Sequence, residues 1–249
     1  AAGRRDRGGA PVIDYGLLMS VIVTLAASSL AMRLRPPRTY NSPVSALDIM
    51  LLPGLVGLVV GRLSTLAIDD PRAIGQVSDM LVIRSGVEFW PGVAAAAIVI
   101  AWSGHRAQVS PIERVADLAP FAMVAYGTYE AACLFRDGCY GPTSPVGLTP
   151  NGLSTTMLPV GLLMGASALA AAAFVRRQSL MGWPPGAVVS SAVALIGLIL
   201  SVGSIWLPKV GGELSRQHRT SIVVAVAASV LTGSILLLRS RRRVEQVHA

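Results

Sequence analysis

Seven long apolar runs, separated by short basic or polar stretches, limit what this chain can become. They cover residues 13–32, 46–67, 89–103, 112–135, 157–175, 187–207 and 220–238. A membrane-spanning helix needs about 20 mostly apolar residues. Backbone polar groups in hydrocarbon must be satisfied within the segment or within a closed barrel. Barrel strands alternate in polarity and need only about 10 residues, and these runs are too long and too uniform for that. The expectation is an all-α membrane protein, a bundle of seven transmembrane helices over residues 13–238. A polar N-terminal tail covers 1–12 and a basic tail covers 239–249. The runs and their loops nearly exhaust the length, which leaves no room for a second, soluble domain.

Charge density points the same way. Charged types make up 14% of the chain, against about 25% in an ordinary soluble domain. With 53% apolar residues, neither a disordered chain nor a soluble enzyme fits. The net charge is +8, and of the 21 basic residues only Lys209 is a lysine. The arginines sit singly or in small groups between the apolar runs, with no basic stripe interleaved with aromatics. That pattern speaks against nucleic acid and for headgroup contact and topology. Eleven basic residues fall on the side of the C-terminal tail and nine on the other. The bias favours a cytoplasmic C-terminus, with Arg4, Arg5 and Arg7 pulling the other way. The tail and first run also resemble a secretory signal peptide.

Cys133 and Cys139 are too few for a disulfide framework; they either bridge outside the cytoplasm or stay free. His105, His218 and His248 are too far apart for a metal site, and no phosphate-binding glycine loop is present. No metal and no cofactor are expected.

Ionisable residues inside the runs carry the most information, since each costs a few kcal/mol unless paired or wetted. Asp48 and Asp117 lie early in their runs, where a carboxylate meets the favourable end of the helix dipole. Arg62 and Glu130 lie late in theirs. Two readings are open for them: an ion pair with each other, or an anionic lipid headgroup held by Arg62.

Several stretches, in order, resemble prolipoprotein diacylglyceryl transferase, the membrane enzyme family that moves diacylglycerol from phosphatidylglycerol to the lipobox cysteine of a lipoprotein precursor. Pro11-Val12-Ile13-Asp14-Tyr15-Gly16-Leu17-Leu18 is similar to the family's opening, and Gly61-Arg62-Leu63 to the Gly-Arg pair ending its second helix. Ser85-Gly86-Val87-Glu88-Phe89-Trp90-Pro91-Gly92 resembles its Gly-Gly-x-x-Phe-His-Gly-Gly turn. Ala116-Asp117-Leu118-Ala119-Pro120 resembles its Ala-Asp-x-x-Ala-Pro segment. Gly138-Cys139-Tyr140-Gly141-Pro142-Thr143 resembles the end of its signature loop in the version carrying cysteines. Pro159 fits the start of its fifth helix, and Leu214-Ser215-Arg216-Gln217-His218-Arg219-Thr220-Ser221 the start of its last. The resemblance covers nearly the whole chain. It implies a seven-helix bundle in the bacterial plasma membrane with an external N-terminus and a cytoplasmic C-terminus. It also implies a lipid site at Tyr15, Arg62, Trp90, Glu130, Tyr140 and Gly141, with phosphatidylglycerol as the phospholipid.

The departures fall on the family's chemistry. Its essential histidine before the third helix is here Trp90. The essential arginine of its Gly-Arg pair is here Glu130, after Tyr129. Between Gln178 and Ser215 the only basic residue is Lys209, where the family has a second functional arginine. Tryptophan cannot take a proton from a thiol, and a glutamate repels the phosphate an arginine would hold. Losing one cationic donor of this kind costs about 10²–10³ in rate. No catalytic residue can therefore be assigned. The expectation is a catalytically inactive relative acting as a lipid-binding or accessory subunit beside a membrane-protein partner. The alternative is an active phosphatidylglycerol-dependent transferase, or a related lipid transferase, using other groups.

Overall fold

The computed structural model describes residues 15–40, 45–69, 71–73, 87–136, 138–150, 153–207 and 215–248, with side chains up to residue 242. Among them the chain forms seven α-helices: α1 (Tyr15–Leu34), α2 (Ala46–Asp69), α3 (Phe89–Arg106), α4 (Pro111–Ala131), α5 (Val160–Leu180), α6 (Pro185–Trp206) and α7 (Arg216–His248). Two 3-10 turns, Pro71–Ala73 and Ala132–Arg136, and one strand, β1 (Thr143–Leu148), complete the described elements. Six of the helices are long and apolar enough to cross a membrane; α3, with 18 residues, is the exception. The fold is that of an all-α, multi-pass membrane protein.

Local chemistry sets most helix starts. The Ser45 hydroxyl accepts the backbone N–H of Asp48 at 3.3 Å, capping α2, while Asp48 itself sits in the first turn. Prolines open α4 and α6, where a missing N–H costs nothing. Of the ends that differ from the sequence expectation, three bear on the architecture. The fourth run does not stay α-helical to Phe135: it narrows to the 3-10 turn after Ala131. The fifth begins at Val160 rather than 157, because Leu158 is tied into a hairpin. Its N–H bonds Pro142 O at 3.1 Å, and its carbonyl accepts Gly141 N–H at 2.8 Å. The last runs unbroken past residue 238 to His248, so the basic tail is a continuation of the helix.

Small residues decide which helices touch. A Cβ on Gly57 of α2 would lie 2.9 Å from the Gly92 carbonyl of α3. A Cβ on Gly165 of α5 would lie 2.5 Å from the Gly127 carbonyl of α4. Only glycine permits these backbone approaches, the usual device for packing helices in lipid. The main core joins α4, α5 and α6 through Met123, Met164, Ala168, Val175, Val188 and Ile196. On α1, Ser20 is fully buried; its hydroxyl bonds Ala132 O at 3.0 Å, seating this helix on the end of α4. The outward faces of α1 and α7 stay exposed and apolar, as with Val223, Val226 and Val230.

Two ends of the bundle can be told apart. One carries the hairpin, the C-termini of α2, α4 and α6, and the N-termini of α1, α3, α5 and α7. The other, the arginine end, carries Arg33, Arg35, Arg38, Arg106, Arg114, Arg176, Arg177, Arg239, Arg241 and Arg242. The N-terminal tail 1–12, Asp14, Ser85, Gly86, Lys209, Leu214 and most of the 68–87 segment lie outside the described residues.

Candidate functional site at the hairpin end

Trp90, on the first turn of α3, holds the position where the resembled family has its histidine. Its indole Nε1–H donates to the Ser221 hydroxyl of α7 at 3.0 Å. Phe89 packs edge-on against Trp90 at 5.1 Å between centroids and against Tyr126 of α4 at 5.4 Å. These rings roof an apolar cavity of about 220 Å³ between α3, α4 and α6, lined by Val93, Met123, Val189 and Ile196 among others.

One turn beyond Tyr126 on α4 stands Glu130, within electrostatic reach of the Arg136 guanidinium. Arg136 stacks on the Tyr129 ring at 4.3 Å. It donates to the Tyr129 hydroxyl at 2.7 Å and to the Tyr129 carbonyl at 3.3 Å. The 3-10 turn makes this return possible, since it brings residue 136 back over residue 129. No salt bridge joins Arg62 to Glu130, the pairing expected from sequence, among the described residues; the cation within electrostatic reach of Glu130 is Arg136. Arg62 is buried on α2, 7% exposed, and α2 packs against α3 rather than α4. Sequence position gives the depth of both charges but not the rotation of their helices.

The remaining expected site residues scatter. Tyr15 is 67% exposed at the start of α1, where Gly16 backs directly onto the Phe135 carbonyl. Tyr140 is half-buried and Gly141 buried on the hairpin. A Cβ on Gly141 would lie 2.7 Å from Val160 Cγ2 and 3.1 Å from the Trp206 carbonyl, so this position locks the hairpin to α5 and α6. Cys133 and Cys139 form a disulfide with Cα atoms 5.9 Å apart. The bridge leaves neither as a nucleophile. It ties the end of α4 to the hairpin, and Gly161 N–H completes the tie by bonding Cys139 O at 3.0 Å.

Two groups that sequence reasoning left unassigned also sit here. Arg216 opens α7 and forks between two carboxylates. Its Nε donates to Glu88 at 2.7 Å, and its two terminal nitrogens donate to Asp69 at 3.0 and 3.1 Å. The fork clamps α2, α3 and α7 together. His218, one turn before Ser221 on α7, is 5% exposed, and its Nδ1 lies 2.6 Å from the Ser204 hydroxyl of α6. This end of the bundle thus holds a buried histidine on α7. Each residue was visible in the sequence, but nothing local linked Ser204 to His218 or Asp69 to Arg216.

Chemically, the hairpin end combines a buried histidine, an apolar cavity and two arginines, Arg136 and Arg216, already engaged by the protein's own groups. Arg216 faces two carboxylates, and Arg136 faces a tyrosine and a glutamate. A phosphate arriving here would have to displace or out-compete negative charge. No family model and no curated protein matches the chain.

Proposed function

We propose that this chain is a seven-span protein of the bacterial plasma membrane, of the diacylglyceryl transferase type, that has lost the transfer reaction. In this reading it serves as a lipid-binding or accessory subunit of a membrane complex, with phosphatidylglycerol as its lipid. The observation that carries it is the pairing of Arg216 with two carboxylates at the hairpin end, with Glu130 adding negative charge near Arg136. Transfer from phosphatidylglycerol requires cations to hold a phosphate and the charge that leaves with it, and Asp69, Glu88 and Glu130 bring negative charge to the same end of the bundle. The apolar cavity beneath Trp90 and Tyr126 supports the lipid-binding half of the reading.

The hairpin end faces outward in this reading and the C-terminus is cytoplasmic. Two independent features support that orientation: the disulfide, which persists in oxidising compartments, and the arginine excess at the opposite end. Cysteine labelling at position 244 from outside intact cells tests it. No labelling is expected, and ready labelling overturns the topology.

The function is tested by complementing a strain depleted of its own transferase and by identifying what co-purifies after gentle detergent extraction. No rescue and a stoichiometric membrane-protein partner are expected. Rescue would establish the second reading, a working transferase. One observation favours that alternative: the His218–Ser204 pair offers a base at the right end of the bundle.

A further inference from the structure

At the arginine end a second cavity, of about 520 Å³, opens between the α5–α6 turn and the last turns of α7. Gly182 and Trp183 form one wall; Ile235, Leu238, Arg239 and Arg242 form the other. The α7 residues share one helix face, because positions three, four and seven apart line up. The cavity is therefore graded. Its deeper side, within the apolar run, is hydrocarbon; its rim, just past that run, carries two guanidiniums. Trp183 packs against the main core at the depth where tryptophan anchors at a membrane interface.

The guanidiniums are held in place but not neutralised. Arg239 donates to the Gly182 carbonyl at 2.7 Å, a bond made possible by a turn in which Gly182 takes φ +72°. That carbonyl bears no net charge. Among the described side chains no carboxylate forms a salt bridge with Arg239 or Arg242. Arg177 lies at the same end, on the last turn of α5, and adds positive charge. The first turn of α6 starts at the same turn and contributes the positive end of its dipole as a smaller addition. An amphiphile with an anionic head and apolar tails matches the gradient; a soluble anion matches only the rim.

The geometry points to this cavity as a binding site for an anionic phospholipid of the leaflet facing the C-terminal tail. Arg239 and Arg242 hold the phosphodiester, Trp183 borders the glycerol level, and the acyl chains run down over Ile235 and Leu238. This inference rests on the apolar spans alone, and holds whether or not the hairpin end retains catalysis. Basic pockets between spanning helices on the cytoplasmic side are a recurring way to hold anionic headgroups.

The test uses the full-length protein in detergent, titrated with phosphatidylglycerol or phosphatidylcholine and read by native mass spectrometry. Wild type is expected to retain phosphatidylglycerol in preference. Each rim arginine contributes roughly fivefold, so Arg239→Gln with Arg242→Gln lowers that preference on the order of 25-fold. Arg241→Gln removes the same charge from another face of α7 and changes it less than about twofold, the level of a screened surface charge. An equal loss in Arg241→Gln would overturn the site in favour of diffuse charge. No loss in the double variant would overturn it outright. Displacement of the lipid by inorganic phosphate alone would assign the rim to a soluble anion instead.

Discussion

At the arginine end Arg176 meets one carboxylate deep between helices, whereas at the hairpin end Arg216 meets two at the rim. The first pair, Arg176 with Asp117 at 3.3 Å, has side chains 12% and 7% exposed. The other oxygen of Asp117 accepts both the N–H and the hydroxyl of Thr39 at 2.9 Å. Arg114, 3% exposed, stacks on Tyr40 at 3.9 Å and reaches the same threonine hydroxyl at 3.4 Å. Burial pushes the Tyr40 phenol above its ordinary pKa, with Arg114 pulling it back down. By contrast, the Arg216–Asp69 pair is 39% and 49% exposed. The arginine end thus uses few charges, buried between the helices, to fasten the loop after α1 to α4 and α5. Among the described residues its other arginines form no salt bridge. The hairpin end spends acids on its arginines and adds a disulfide. Structure at one end and availability of cations at the other are not the same property, and here they are inverted: the more cationic end is the one with the deeper ion pair.

The sharpest way to break this comparison is to remove the acid at each end. Asp117→Ala strips Arg176 of its only carboxylate and Thr39 of its acceptor. Removing one partner of a buried pair costs about 3–5 kcal/mol, so thermal unfolding in detergent should show a large fall in midpoint. Asp69→Ala leaves Arg216 exposed to water and still bonded to Glu88, and should move the midpoint little. Equal effects at the two ends would remove the distinction.

The residues concerned also show how far the sequence could be read. The apolar runs gave the helices because lipid demands length and uniform apolarity, and the starts of α2 and α3 fell where Asp48 and Trp90-Pro91 placed them. Asp117 was read as a helix-dipole partner, but it is an acceptor for Thr39 and Arg176, residues 78 and 59 positions away. Arg62 and Glu130 both lie toward the hairpin end, as their places late in their runs imply. Their partners depend on helix rotation, which an apolar run of this uniformity does not encode. The return of Arg136 onto the Tyr129 carbonyl depends on the 3-10 turn, which ends the α-helical ladder of α4 after Ala131. His218 and Ser204 meet through the packing of α6 on α7, and no local pattern announces it.

The hairpin end can be probed next through its covalent tie. The bridge closes a loop with a sequence separation of six, for which chain-entropy arguments give about 2 kcal/mol. Cys133→Ser with Cys139→Ser should lower the unfolding midpoint by a correspondingly smaller amount than Asp117→Ala. Maleimide–polyethylene glycol should label the wild-type protein, denatured, only after reduction. Labelling without reduction would show that the thiols are free and would weaken the outward assignment of this end.

The mildest expected change bears most directly on what separates the ends. If the hairpin end binds anions poorly because its acids neutralise its arginines, removing one acid should make it resemble the other end. Glu130→Gln keeps the side-chain volume and leaves Arg136 stacked on Tyr129, with its bonds to the tyrosine hydroxyl and carbonyl intact. Only the negative charge beside it goes. One released charge near a membrane surface contributes about 1 kcal/mol, so phosphatidylglycerol retention should rise roughly fivefold while phosphatidylcholine retention stays level. The fold should hold, because the substitution keeps the shape of the side chain and no salt bridge is lost with it. Combining Glu130→Gln with Arg136→Gln should return retention to the starting value, which identifies Arg136 rather than Arg62 as the cation set free. A rise that survives the second substitution would place the responding charge elsewhere, and no rise at all would mean that something other than Glu130 limits anion binding at this end.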